Sequence, residues 1–134
     1  MPQPTRWFVK ASLIYLVLGL VLGIFQATQI WKGGWLFAVY THLLTFGWLT
    51  QLIFGIALWM FPAQSKEQPR GPAWLGWTTF AILNLGLLFR AVFEPLQSLS
   101  PSAFNGWMLV LAAVLQWLAG VTFLFNIWPR IKGR

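Results

Sequence analysis

Near its amino end the chain reads FVKASLIYLVLGLVLGIFQATQ (residues 8–29), in which Lys10 carries the only charge. A helix that crosses the apolar part of a bilayer needs about 20 such residues, and a continuous apolar segment in lipid has to satisfy its own backbone by forming a helix. Three more apolar runs follow, at residues 35–61, 73–93 and 104–128. The sequence therefore predicts an all-α fold, a single four-helix transmembrane bundle.

The composition excludes an ordinary soluble domain. The 134 residues are 58% hydrophobic and 8% charged, whereas soluble domains carry about 25% charged residues. Cysteine is absent, which excludes disulfides and thiolate metal sites. The net charge of +7 lies mostly at the ends of the apolar runs, where basic residues act as topology signals. We therefore expect a lipid bilayer as partner and no nucleic acid.

The distribution of basic residues predicts the orientation. One side of the predicted bundle receives seven of the nine lysines and arginines: Arg6, Lys10, Lys66, Arg70, Arg130, Lys132 and Arg134. The other side receives only Lys32 and Arg90. Because cytoplasmic loops carry the excess of lysine and arginine, both termini are predicted to be cytoplasmic. We call this the N-in/C-in orientation, with the opposite half of the bundle as its outer half.

Small residues predict where helices approach one another. Gly19 and Gly23 form a GxxxG step on the first helix. Gly47, Gln51 and Gly55 recur at four-residue spacing on the second helix and are predicted to share one face. Both patterns indicate packing rather than chemistry.

Polar residues at membrane depth belong to the outer half, and the inner half has no comparable set. They are His42, Arg90, Glu94, Gln26 and Gln29, with Asn105 at the start of the fourth helix. His42 is predicted to lie roughly 10 Å below the outer end of its helix, at 1.5 Å per residue. Ionisable residues inside a membrane are candidates for function. The structural alternatives are an Arg90–Glu94 pair at i and i+4, and a neutral His42 hydrogen-bonded to a neighbouring helix.

A single membrane histidine suits axial ligation of haem iron, for which imidazole nitrogen is a standard ligand. Arg90 lies at the level where haem propionates need positive charge. Met108, at the depth of His42 on the fourth helix, is a candidate second ligand, although methionine at such a position also serves simply as core filling. If Met108 is not the ligand, a second His42 across a dimer fills the position, or it stays open for gas binding.

Two segments carry a resemblance to a known family. Residues 42–62, HLLTFGWLTQLIFGIALWMFP, resemble the second helix of haem-copper oxidase catalytic subunits, most closely nitric oxide reductase and the cbb-type oxidases. In that family a histidine near the outer end of this helix ligates the low-spin haem. Residues 84–95, NLGLLFRAVFEP, are similar to small membrane proteins related to that subunit or to NnrS-type proteins. The resemblance implies haem b with His42 as its axial ligand, in a bacterial inner membrane.

The chain also departs from that family. A full catalytic subunit has about twelve helices and several more histidines, so the chain holds no complete catalytic centre and reduction of oxygen or nitric oxide by it alone is excluded. The resemblance implies a haem module for electron transfer, gas sensing or haem handling, in a homo-oligomer (dimer or trimer) or a larger respiratory complex. The alternative is a cofactor-free accessory or assembly subunit of such a complex. A small transporter or channel is a third and less attractive class, since polar groups at the midplane form no obvious path.

Overall fold

The computed structural model describes residues 1–31 and 33–131. Its four long helices are α1 (Gln3–Thr28), α2 (Gly34–Met60), α3 (Ala73–Leu99) and α4 (Ala103–Ile127), and a 3₁₀ turn follows at Trp128–Arg130. All four helices are long and apolar enough to cross a membrane, and the described residues contain no strand. The predicted all-α fold with four transmembrane helices is therefore confirmed.

The two ends of the bundle differ in their connections. One end, here called the terminal end, carries the start of α1, the 3₁₀ turn at Trp128–Arg130 and the loop at residues 61–72. The other, the turn end, carries the end of α1, the start of α2 and the turn at residues 100–102 between α3 and α4. Lys32, Lys132 and Arg134, which contribute to the orientation argument, lie outside the described residues. The N-in/C-in orientation stays a prediction, in which the terminal end is cytoplasmic.

The helices exceed their predicted bounds at two places. α1 begins at Gln3 because Pro4 stands in its first turn, where a missing N–H costs nothing. α3 continues through Pro95 to Leu99, six residues beyond the predicted run at residues 73–93, so the predicted end of this helix is wrong. Pro95 cannot donate to the carbonyl of Ala91. Proline is nonetheless tolerated within membrane helices, where surrounding groups satisfy the freed carbonyl.

α2 is locally widened to keep one face inward. Its buried positions recur mostly at four-residue steps: Leu36, Val39, Leu43, Gly47, Gln51, Gly55 and Leu58. In a regular helix with 3.6 residues per turn, each such step drifts by about 40°. The segment Leu43–Thr50 is π-helical, and its wider turns offset that drift. The predicted shared face of Gly47, Gln51 and Gly55 is confirmed.

The core near the terminal end is aromatic and joins all four helices. Phe8 of α1 meets Phe54 of α2 and Phe80 of α3 edge to face, with ring centroids 6.4 and 5.2 Å apart. Phe54 in turn stacks on Phe123 of α4, with centroids 3.9 Å apart and planes 4° from parallel. Such pairs each add roughly 0.5–1.5 kcal/mol beyond the area they bury. The bundle is therefore fixed by side-chain shape at this end.

Glycines on α2 permit this close packing. A Cβ at Gly55 would lie 2.7 Å from the Cβ of Phe8, and one at Gly47 would lie 2.7 Å from the Cγ of Tyr15. Phe8 is fully buried, and its Cβ cannot move without its backbone. The prediction that these small residues serve packing is therefore confirmed, and α1 can approach α2 only because side chains are missing there.

We expect Gly55→Ala to destabilise the bundle. The added methyl forces α1 and α2 apart, and overpacking of this kind costs roughly 1–3 kcal/mol. Gly120→Ala is the matched control, since a Cβ at Gly120 meets nothing within 4 Å and alanine favours a helix. Denaturant unfolding of the purified variants in detergent measures both changes, and equal stability of the two would contradict the packing role of Gly55.

Candidate functional site

His42 stands on α2 immediately before the π-helical segment, and its ring is oriented by local contacts. Its Nδ1 lies 2.7 Å from the carbonyl oxygen of Ala38, one turn earlier. A carbonyl only accepts, so Nδ1 carries the proton and Nε2 is left as the unprotonated nitrogen. The ring stacks on Phe46, with centroids 5.8 Å apart and planes 14° from parallel. A half-buried imidazole held in this tautomer presents Nε2 as a ligand atom.

Arg90 and Glu94 form an ion pair along α3. Arg90 Nη1 donates to Glu94 Oε1 at 2.7 Å, and the two side chains are 15% and 17% exposed. The structural alternative of an i, i+4 pair is therefore confirmed. The Nε of Arg90 is buried and has no hydrogen-bond partner among the described residues. The Nε of Arg90 is therefore enclosed by the protein.

The structure brings this ion pair into the neighbourhood of His42. The first part of α2, Gly34–His42, packs against α1 and against α3, the helix that carries Arg90 and Glu94. The imidazole and the ion pair therefore lie on neighbouring helices. That His42 and Arg90 lie at the same depth in the membrane stays a prediction.

Met108 is not brought against His42 in the same way. It is half-buried on α4, the first turn of which packs on α3 through Phe104 and Phe93, with ring centroids 6.0 Å apart. The segment Gly34–His42 makes its main contacts with α1 and α3 instead. Met108 as second axial ligand stays a prediction.

Among the remaining polar residues of the predicted set, Asn105 has structural partners and the two glutamines line a cavity. Asn105 is buried and donates from Nδ2 to the carbonyl of Ser100 at 2.9 Å, while its N–H donates to the capping Ser102 Oγ. Gln26 and Gln29 line an open cavity of about 330 Å³ at the turn end. Asn105 therefore closes the turn before α4, and the two glutamines border the interface.

The prediction that the inner half of the bundle lacks a comparable set of polar groups is wrong. The buried or half-buried polar side chains in the middle and towards the terminal end include Thr5, Gln51, Thr79, Gln116, Thr122, Asn126 and Arg130. Thr79 and Thr122 share a hydrogen bond of 2.9 Å between α3 and α4. Gln51 is fully buried, and neither atom of its amide has a partner among the described residues. In the sequence, the position of Gln51 midway between Gly47 and Gly55, at four-residue spacing, is the pattern that indicates its burial.

Arg130 is the largest departure from the sequence-based interpretation, which places it at the surface as a topology signal. Its side chain is fully buried. Its Nε donates to the carbonyl of Pro62 at 2.9 Å, and its Nη2 donates to those of Phe61 and Leu58 at 2.7 and 3.2 Å. The carbonyl of Leu58, in the last turn of α2, has no helical donor because Pro62 lacks an N–H, and Phe61 and Pro62 directly follow the helix. Arg130 therefore caps α2 from the far end of the chain.

The comparisons with known proteins add no relative. No protein family matches the chain, and no curated protein and no solved structure does. Function is therefore argued from the arrangement of residues described above.

Proposed function

We propose that this chain is a membrane protein that binds haem b through His42, related to the catalytic subunits of haem-copper oxidases. The observation that carries the proposal is the Nδ1 contact of His42 with the Ala38 carbonyl at 2.7 Å. Ligand histidines commonly donate their second ring N–H to a carbonyl or a carboxylate, which fixes the tautomer and the ring orientation. In this chain that arrangement leaves Nε2 for iron.

Two further features support the same site. π-helical turns occur frequently at functional sites, and the one in α2 begins at Leu43, directly after the histidine. Arg90 lies near the imidazole and retains a buried, unpartnered Nε among the described residues. A propionate at this level would meet the guanidinium that also pairs with Glu94. The donor set therefore fits a haem with one protein ligand and one propionate partner.

The cavities at the two ends of the bundle are lined by residues that do not include His42, so haem would lie on the bundle surface against it. Lipid or a second copy of the chain would cover the haem. In a dimer, two His42 side chains could hold one haem between them, and the alternatives for the second ligand are Met108 or an open position. A trimer is the other assembly that we consider. When bound, haem supplies one-electron chemistry at iron and, with an open position, gas binding.

A cofactor-free accessory or assembly subunit is the second candidate. It is favoured by the Arg90–Glu94 pair, which accounts for both charges without a ligand. The reduced-minus-oxidised visible spectrum of protein purified from cells supplied with a haem precursor separates the two. A b-type α band with stoichiometric haem supports our proposal, and a colourless protein would leave the accessory role.

The proposal includes an N-in/C-in orientation in the cytoplasmic membrane of a bacterium, and the absence of cysteine makes it testable. Ser100 and Lys66 are exposed at opposite ends of the bundle. We expect a membrane-impermeant maleimide to label Ser100→Cys in intact spheroplasts and Lys66→Cys only after the membrane is opened. The reverse pattern would contradict the orientation.

A further inference from the structure

A small cavity lies at the terminal end, between the start of α1, the ends of α2 and α4, and the loop before α3. Its volume is about 80 Å³, and its lining is mostly proline, glycine and apolar residues, with Thr5, Arg70 and Asn126 as its polar side chains. A cavity needs roughly 10–15 Å³ to hold one water. This one therefore admits a polyatomic group.

The polar side chains in its wall have no protein partner among the described residues. Thr5 is fully buried with its Oγ1 unpaired, and Asn126 is 2% exposed with its Oδ1 unpaired. Buried polar atoms are normally hydrogen-bonded. A hydroxyl can donate, and the amide presents either its oxygen or its NH₂ group into the same space. Both side chains therefore point to a polar occupant.

The charge around the cavity is positive and uncompensated. Arg70 lines it, and the charge of Arg70 acts on the buried Arg130. Arg130 donates to the carbonyl of Leu58, another lining residue, and its Nη1 has no partner within residues 1–31 and 33–131. Of the two acidic residues, Glu94 is paired with Arg90 at the turn end. The other, Glu67, stands in the same loop as Arg70, and the described residues hold no ion pair to Arg70 or Arg130. An anion between or beside these two guanidinium groups would relieve their mutual repulsion.

We propose that this cavity binds a phosphate group, carried either by an anionic phospholipid or by a soluble phosphate. Guanidinium groups match phosphate oxygens in two-pronged hydrogen bonds, and the Thr5 hydroxyl and Asn126 amide supply neutral donors. Basic pockets between transmembrane helices on the cytoplasmic side are typical sites for anionic lipid head groups. The site is independent of His42, which lies in the turn-end half of the bundle.

The test is thermal unfolding of the delipidated full-length protein in detergent, with three additives titrated separately. They are phosphatidylglycerol, a galactosyl diacylglycerol with the same acyl chains but no phosphate, and inorganic phosphate. We expect saturable stabilisation by phosphatidylglycerol and none by the galactolipid. Arg70→Gln should weaken the apparent affinity about tenfold, as loss of a charge-assisted hydrogen bond does. Lys66→Gln, which removes one charge from the same loop, should leave it unchanged.

Asn126→Leu keeps the test valid if Arg70→Gln folds poorly. In the absence of additive this variant should be as stable as the parent, because it removes an unpaired buried polar atom. It should nonetheless bind phosphatidylglycerol more weakly. Stabilisation by inorganic phosphate alone would assign the site to a soluble anion. The proposal is overturned if both lipids stabilise equally and phosphate does nothing, or if Lys66→Gln and Arg70→Gln weaken binding alike.

Discussion

Replacing His42 with alanine is expected to abolish the b-type absorption band of the purified protein. His42 is the only histidine in the chain, and its Nδ1 is already engaged by the Ala38 carbonyl, so Nε2 is its one free imidazole nitrogen. Changes in groups that merely orient a ligand histidine cost about 10–100-fold in metal affinity, so loss of the ligand itself should cost at least about a hundredfold. Haem content per chain and the reduced-minus-oxidised spectrum measure the loss.

Two companion variants separate ligation from folding. Phe46→Leu removes the ring that stacks on the imidazole and should retain haem, with at most a small shift of the band. His42→Gly should lose haem and regain it when free imidazole is supplied, because the small ligand can replace the missing side chain. A band that persists in His42→Ala would refute ligation by this residue, and failed rescue of a folded His42→Gly would count against it too.

The identity of the second axial ligand can be determined from spectra of the same kind of purified protein. If Met108 is the ligand, Met108→Leu converts a low-spin spectrum to a high-spin one while haem stays bound. If two His42 side chains share one haem, the wild type holds half a haem per chain and Met108→Leu changes nothing. Since α4 makes its main contacts with α3 rather than with the first part of α2, the shared-histidine arrangement requires less rearrangement.

The helices are predictable from sequence because the bilayer imposes a simple requirement. Runs of about 20 apolar residues have to be helical there, and each of the four runs forms a helix in the structure. Proline usually breaks a helix, so Pro95 wrongly suggests that α3 ends there. In the structure α3 continues through it, because packing of the helix overrides this local preference. The widening of α2 has only an indirect signal, the four-residue recurrence of the small and polar residues Gly47, Gln51 and Gly55.

The residues of the candidate site are predictable from the sequence, but most of their contacts across helices are not. His42, Arg90 and Glu94 stand out because charge is rare in apolar runs, and the i, i+4 spacing gives the ion pair directly. Which half-buried side chains meet across helices depends on rotation and tilt, and the sequence carries no local record of either. In the sequence, Arg130 cannot be told apart from a surface arginine that follows a transmembrane helix and sets its orientation. Its burial depends on carbonyls 68 to 72 residues away.

The role of Arg130 as a cap predicts a large loss of stability on its removal. Arg130→Met should destabilise the bundle by roughly 2–4 kcal/mol, since three carbonyls at the end of α2 lose a charged donor and hydrogen bonds to charged groups contribute about 1.5–3 kcal/mol each. Part of that loss is offset because a buried charge without a carboxylate partner is itself costly. Denaturant unfolding in detergent measures the difference.

Arg6→Met is the matched control for this prediction. Arg6 is exposed at the same end of the bundle and its Nε contacts only the carbonyl of Met1, so its loss should change stability by less than about 0.5 kcal/mol. Arg130→Lys should be intermediate, because an ammonium group lacks the planar fork that reaches several carbonyls at once. Equal stability of Arg130→Met and Arg6→Met would contradict the prediction. It would mean that water hydrogen-bonds the carbonyls at the end of α2 no less favourably than the guanidinium does. The contact between the last turn of the chain and α2 would then be incidental.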